Sequence, residues 1–310
     1  MSDAAGPSAR TAGPLIAIAF MVAATVFIAA TTLLAKALGT AALGAPLHPF
    51  QITFGRFLFA AIAVFATVAA LRPTIGTAQW RWHLGRVICG WGGVTLMFAA
   101  VATIPLAEAT AISFLNPIVA MVLAVILMGE SAGPVRWSAA AIAVAGAILL
   151  LRPGMGVVAP GALLALGAAL ALGAEVLFIK RLTRTEGPLA ILAFSNGIGL
   201  VLATLTALPV WQPPTHPQWA AMVALGVLMA CAQGCFVNSL RRAETSLVTP
   251  FSYLTLVFAG LYDLVIFGVL PDAVGWAGAA LIVLGAGLLA WREGRARPAL
   301  PLTPSGGSRS

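Results

Sequence analysis

Charge is what this chain of 310 residues has least of: Asp, Glu, Lys and Arg together make up 8% of it, and only nine residues are acidic. A soluble domain carries about 25% charged residues, and no water-soluble surface can be assembled from a third of that. Histidine is equally sparse, with His48, His83 and His216 alone. All three fall in loops or at the ends of apolar runs, on two sides of a membrane, so they form no common metal or catalytic cluster. Cysteine is limited to Cys89, Cys231 and Cys235, which read as small packing residues within apolar runs; a zinc site wants four ligands, and no cluster supplies them. No Gly-rich phosphate loop of the ATPase kind is present. The expectation is a protein that is not an enzyme and uses no cofactor or metal. Low-complexity tracts are absent outside the last few residues despite 32 Gly and 20 Pro, which sets aside disordered and fibrous classes.

What the chain has in excess is apolar: 61% of its residues. About 20 apolar residues cross the hydrocarbon core as a helix. Ten such runs can be drawn, at 14–38, 48–71, 84–103, 106–128, 135–151, 160–182, 188–210, 217–238, 245–270 and 273–291. Outer-membrane barrels need short alternating segments instead. The first run is too long for the apolar core of a signal peptide and is followed by Lys36, so it counts as a span. Pro14, Pro160, Pro188 and Pro217 sit near helix starts, where a missing N–H costs little.

The net charge of +8 does not point to nucleic acid, because the basic residues stand in short clusters between apolar runs. Fourteen of the 17 fall on one side of a ten-span layout: Arg10, then Arg72, Arg81 and Arg86, then Arg136, then Lys180, Arg181 and Arg184, then Arg241 and Arg242, and finally the tail arginines. The excess of Lys and Arg marks the cytoplasmic face, so both termini are expected there, with the chain in the cytoplasmic (inner) membrane. Trp80, Trp82, Trp211, Trp219 and Trp291 lie near the expected interfaces, as an aromatic belt does.

The chain repeats itself. Residues 137–150 laid on 276–289 agree at eight of fourteen positions, with Trp137 on Trp276 and Gly146 on Gly285. Pro105-Leu-Ala-Glu-Ala-Thr110 is similar to Arg241-Arg-Ala-Glu-Thr-Ser246, and Lys36 falls on Lys180. A unit of five spans is odd, so its second copy enters the membrane upside down, the architecture of many secondary transporters. The expected organisation is a tail at 1–13, a first repeat at 14–152, a second at 153–293, and a tail at 294–310. Ala139, Ala143, Gly146 and Ala147 in span 5, and Gly278, Ala279, Gly285 and Gly287 in span 10, are small enough to let helices approach closely.

These features resemble the drug/metabolite transporter superfamily, in its EamA-domain branch. The first half carries Gly55-Arg-Phe-Leu-Phe59, then Pro105-Leu-Ala-Glu-Ala-Thr-Ala-Ile-Ser-Phe-Leu-Asn-Pro117 leading to Met128-Gly-Glu130. The second carries Pro250-Phe-Ser-Tyr253 leading to Phe267-Gly268 and Pro271-Asp272, then Gly278-Ala-Ala280. The resemblance implies an all-α integral membrane fold: ten transmembrane helices as two inverted-topology five-helix repeats around a central cavity. It implies a secondary active transporter of a small metabolite such as an amino acid, with export favoured by family habit. The alternatives are an uptake carrier for a vitamin or nucleotide-derived metabolite, riboflavin- or S-adenosylmethionine-like, and a non-transporting scaffold or receptor. In the family the ninth helix ends in Gly-Glu; here Val269 follows Gly268, so Glu130 has no counterpart.

Ionisable groups inside a membrane are functional candidates by default: Lys36, Arg56, Glu108, Glu175 and Asp263. Lys36, on a stripe with Thr32 and Thr25, either faces a polar path or anchors at the interface. Arg56 stays charged and needs a partner; Glu108, at a similar depth, is the leading one, with capture of a substrate carboxylate by Arg56 as the second reading. Pro117 breaks span 4 and frees a carbonyl, and Pro250 interrupts span 9 in the same way. Asn116 and Tyr253 beside these breaks are expected to face the cavity, with interhelical hydrogen bonding the alternative for Asn116. Ser252 and Asp263 share a stripe of span 9. Asp263 or Glu175 is a candidate proton carrier, with a structural partner as the alternative for each, and Trp91 and Gln233 complete the set. The expected partners are a small-molecule substrate, coupling protons and the lipid bilayer; monomer and homodimer are both open.

Overall fold

The computed structural model describes residues 8–72, 79–129, 133–151, 159–182, 185–242, 251–269 and 271–295. Among these all regular structure is helical, with no strand. The helices are α1 (Ser8–Gly39), α2 (Pro49–Leu71), α3 (Trp80–Val101), α4 (Leu106–Ser113), α5 (Asn116–Met128), α6 (Pro134–Leu151), α7 (Pro160–Leu182), α8 (Pro188–Ala207), α9 (His216–Arg242), α10 (Leu254–Tyr262) and α11 (Ala273–Arg295). Among the described residues, seven segments are long and apolar enough to cross a membrane, α4 and α5 counting as one. Three shorter apolar helices, Trp137–Leu149, Leu254–Phe267 and Ala273–Gly285, accompany them. Large apolar side chains stand outward on these helices, among them Ile126, Leu127, Val201, Leu205 and Leu284. Such a surface would aggregate in water and suits lipid.

Proline and polar caps set many helix ends. Pro49 opens α2, and the His48 Nδ1 accepts the Phe50 N–H at 3.3 Å. The fourth apolar run is split by Pro117: its ring excludes the carbonyl four residues back, and α4 ends at that residue, Ser113. The ladder resumes as the Val119 N–H donates to the Leu115 carbonyl at 2.9 Å. Gly129 and Gly268 end α5 and the segment following α10 in the same left-handed conformation, at φ of 66° and 65°, which a residue without Cβ adopts freely. Before Gly268 the chain forms a π-helical turn, Asp263–Phe267. The expected break at Pro250 and the motif residue Glu130 lie outside the described residues, as does Arg152.

Two starts differ from the sequence expectation. α1 begins at Ser8 instead of Pro14, and α3 begins at Trp80 instead of Leu84. Arg81 and Arg86 are therefore helical, and Arg86 is a buried residue in the second turn of α3, not a loop charge. Trp80, Trp82, Trp211 and Trp291 are exposed, but Trp219 packs on the core cluster and edge-on to Phe59.

The helices pair across the chain: α1 with α9, α3 with α7, α2 with α8 and α9, α4 and α5 with α7, α1 with α10, and α6 with α11. The α6–α11 contact is backbone against backbone. A Cβ added at Gly146 would lie 2.7 Å from the Gly278 carbonyl oxygen, and one at Gly285 would lie 2.6 Å from that of Ala139. Only glycine permits that approach on both sides.

Candidate functional site

A cleft opens between α2, α3, α7, α8 and α9. Arg56 and Phe57 come from α2; Arg86, Gly90 and Trp91 from α3; Glu175 from α7; Ser195 and Asn196 from α8; Gln233 from α9. It is small, with about 30 Å³ of free space, room for about two waters. Any organic solute has to part the helices to enter.

The charges in it are unequal. Arg86 is buried; its Nη1 donates to the Ile191 carbonyl at 3.1 Å, and its Nε stands 3.4 Å from Glu175 Oε1. Glu175 holds that position because α3 has glycine opposite: a Cβ at Gly90 would sit 2.9 Å from the Glu175 carboxyl carbon and Oε1. Arg56 is 8% exposed, lies over the Phe57 ring at 4.6 Å, and interacts electrostatically with Glu175 and Arg86. Two guanidinium groups thus face one carboxylate.

Polar atoms are left over. In this cleft the buried Nε of Arg56, the Trp91 Nε1 and the Gln233 Oε1 have no hydrogen-bond partner among the described residues, and the Arg86 Nε has only its ion pair with Glu175; the other such atom, His83 Nδ1, lies outside the cleft. Buried polar groups are nearly always paired, and orphans of this kind call for an explanation. Three of the four in the cleft are donors. The Trp91 ring is held by stacking on Phe50, with centroids 5.6 Å apart, while its carbonyl accepts the Thr95 hydroxyl.

Of the residues singled out from sequence, the structure gathers Arg56, Trp91, Glu175 and Gln233 here. It adds Arg86, Ser195 and Asn196, which sequence reasoning missed. Arg86 was masked by its place in a basic cluster; its signal was a third arginine of that cluster falling where an apolar run had begun.

The Arg56–Glu108 clamp is not formed. α2 packs against α8 and α9, which turns Arg56 toward Glu175, while Glu108 on α4 lies against Gly275 of α11. Asn116, Ser252 and Tyr253 are not among the residues lining this cleft. The Asn116 carbonyl closely approaches Gly173 of α7, and Tyr253 meets Phe114 edge-on at 5.2 Å.

Lys36 and Asp263 form a second, separate polar centre. They are hydrogen-bonded as an ion pair, Asp263 fully buried and Lys36 8% exposed. The other Asp263 oxygen accepts the Leu106 N–H that opens α4, and the Lys36 ammonium lies 4.8 Å from the centre of the Phe267 ring. Lys36 therefore neither reaches the interface nor stands free in a polar path. It ties α1 to the turn after α10, and through Asp263 to α4.

Comparison with known proteins places this architecture. The model of the EamA-like transporter family matches twice, over residues 15–152 and 159–291. A riboflavin transporter of Rhizobium johnstonii is 33% identical over 229 residues, covering 72% of this chain and 73% of that one. A riboflavin transporter of Vibrio cholerae is 27% identical over 76% of this chain and 80% of its own. An S-adenosylmethionine uptake transporter of Rickettsia bellii is 24% identical, over 78% and 83%, and the pseudopaline exporter CntI of Pseudomonas aeruginosa is 25% identical, over 60% and 66%. One crystal structure superposes with a TM-score of 0.59 at 22% identity, covering 90% of this chain and 97% of that chain, a likeness of fold. With the family model matched along both halves, the chain belongs to the EamA-like transporters of the drug/metabolite superfamily and is a multi-pass membrane transporter, not an enzyme.

Proposed function

We propose that the protein is a secondary active transporter that moves a small metabolite across the cytoplasmic membrane by alternating access, with the Arg56–Arg86–Glu175–Trp91–Gln233 cleft as its transport site. The observation that carries this reading is the set of orphaned, buried polar atoms in a cleft lined from both halves of the chain. A packing pocket satisfies its polar groups internally; a transport site leaves them for the solute.

Alternating access rests on two inverted five-span repeats, residues 14–152 and 153–293, with both termini cytoplasmic. The packing supports the repeat. Exchanging each span with the one five later turns the α1–α9 contact into α7–α3 and the α1–α10 contact into α7 with α4 and α5, while α2–α8 and α6–α11 map onto themselves. The first turns of α3 and α9 behave alike: the His83 Nε2 is hydrogen-bonded to Glu186, between α7 and α8, at 2.7 Å, and the Gln218 Nε2 donates to the Ala45 carbonyl, between α1 and α2, at 2.7 Å. The paired left-handed glycines, Gly129 and Gly268, and the reciprocal contact of Gly146 and Gly285 agree.

The solute is a small metabolite such as an amino acid or a related compound. A second reading, uptake of a riboflavin-like vitamin, draws on the relatives named as riboflavin transporters. Flux of a metabolite panel into and out of proteoliposomes tests the proposal and its direction. Carrier-dependent counterflow of at least one solute is expected; correctly folded protein that moves none of them would refute it.

A further inference from the structure

We infer that the solute binds as a monoanion, its oxyanion group received by Arg56 and the Trp91 N–H, and that Glu175 sets this valence by cancelling one of the two guanidinium charges. The inference rests on the reading of the cleft as the transport site and adds to it the charge class of what enters.

The charges of the cleft do not cancel. Arg56 and Arg86 contribute two positive charges, Glu175 one negative, and among the described residues no other charged side chain lines the cleft. A net single positive charge remains in a buried place. An uncompensated buried charge is costly, and a bound counter-charge removes that cost. A monoanion brings the occupied cleft to neutrality. A neutral solute leaves the excess in place once water is displaced, and a cation adds to it.

The two arginines differ in what they already hold. Arg86 is already engaged, by the Ile191 carbonyl at 3.1 Å and by Glu175 at 3.4 Å. Arg56 has the Phe57 ring beneath it and an unpartnered Nε. A guanidinium is a fork of donors suited to an oxyanion, and the indole N–H is donor only. Arg56 and the unpartnered Trp91 Nε1 therefore complement a carboxylate or a singly ionised phosphate ester. The Gln233 side chain, with its oxygen unpaired, is left for a donor elsewhere on the solute. Gly90 is what admits Glu175 against α3, so the single negative charge is built into the helix contact.

Simple monocarboxylates and acidic amino acids belong to this class; zwitterionic amino acids, riboflavin and S-adenosylmethionine do not. The test uses purified full-length protein and a panel of matched trios, each a monocarboxylate, its neutral amide and the corresponding amine: indole-3-acetate, indole-3-acetamide and tryptamine; 4-methylvalerate and its counterparts; and benzoate and its counterparts. Aspartate, glutamate, riboflavin, S-adenosylmethionine and the dianion succinate complete it. Binding is read by thermal shift and transport by proteoliposome flux. At least a tenfold preference for the monoanion is expected within every trio that binds. Glu175→Gln raises the cleft to two positive charges, so the ratio of succinate to monoanion should rise at least tenfold, while Glu175→Asp keeps the wild-type order. Preferred binding of amides, amines, riboflavin or S-adenosylmethionine would overturn the charge assignment while leaving the transport reading intact, as would an unchanged succinate ratio in folded Glu175→Gln. Selective monoanion binding without any flux would uphold the charge assignment and overturn transport. Absence of both binding and flux across the panel would overturn both.

Discussion

Removing the Asp263 carboxylate strands a buried cation, and the cost can be worked from its surroundings. Lys36 is 8% exposed and Asp263 fully buried, so neither is well hydrated. Among the described residues, Asp263→Asn leaves the ammonium with only the Phe267 ring, a contact of about 0.5–2 kcal/mol that the wild type already has. Breaking a buried pair by deleting one partner costs about 3–5 kcal/mol. At about 1.4 kcal/mol per tenfold, the ratio of folded to unfolded protein falls by roughly two to three and a half orders of magnitude. Asparagine keeps an oxygen for the Leu106 N–H, so the loss reports the ion pair and not the helix cap. The double variant Lys36→Met/Asp263→Asn removes both charges and should return to within about 2 kcal/mol of wild type, since buried pairs are often replaceable by apolar groups. Reversible unfolding in mixed micelles, run on all four proteins as a double-mutant cycle, measures the coupling. A coupling of at least about 2 kcal/mol is expected. A value under about 0.5 kcal/mol would refute the pair as a structural tie.

Two further predictions follow from glycines that the packing requires. Gly285→Ala puts a Cβ 2.6 Å from the Ala139 carbonyl oxygen and 2.7 Å from the Ala143 nitrogen. Ordinary contact is about 3.5 Å, so α6 and α11 must part by roughly 0.9 Å against backbone that cannot rotate away. Overpacking of this kind costs about 1–3 kcal/mol, read as a lowered unfolding midpoint; an unchanged midpoint contradicts the reciprocal contact. Gly90→Ala pushes on the Glu175 carboxylate, a flexible side chain, so the fold should survive while solute affinity changes several-fold. Wild-type affinity in that variant would separate Glu175 from the site.

Much of the fold was legible in the sequence because its signals are local. Pro160 and Pro188 stand at the first positions of α7 and α8, and Pro117 splits the fourth run where its ring demands. The internal match that set Gly146 on Gly285 named the two residues where α6 and α11 touch. The site was legible one residue at a time. Arg56, Trp91, Glu175 and Gln233 stood out as polar groups in apolar runs, but nothing local says which neighbour a helix turns toward. Depth alone suggested Glu108 for Arg56; the packing of α2 on α8 and α9 gave Glu175 instead. Lys36 and Asp263 were each conspicuous, yet they lie 227 residues apart, and only the docking of α1 on α10 joins them. Arg86 was hidden by rule-following: a basic residue near a span end reads as a topology signal until the helix is seen to start four residues earlier.

The claim on which the rest depends is that solute passes through the cleft at Arg56. Counterflow in proteoliposomes tests it most directly, comparing wild type with Arg56→Gln at matched unfolding midpoints and reconstitution efficiency. Accumulation of a transported solute by wild type and at least a hundredfold slower exchange in the variant are expected. Exchange of the same solute at the wild-type rate by folded Arg56→Gln would contradict the claim.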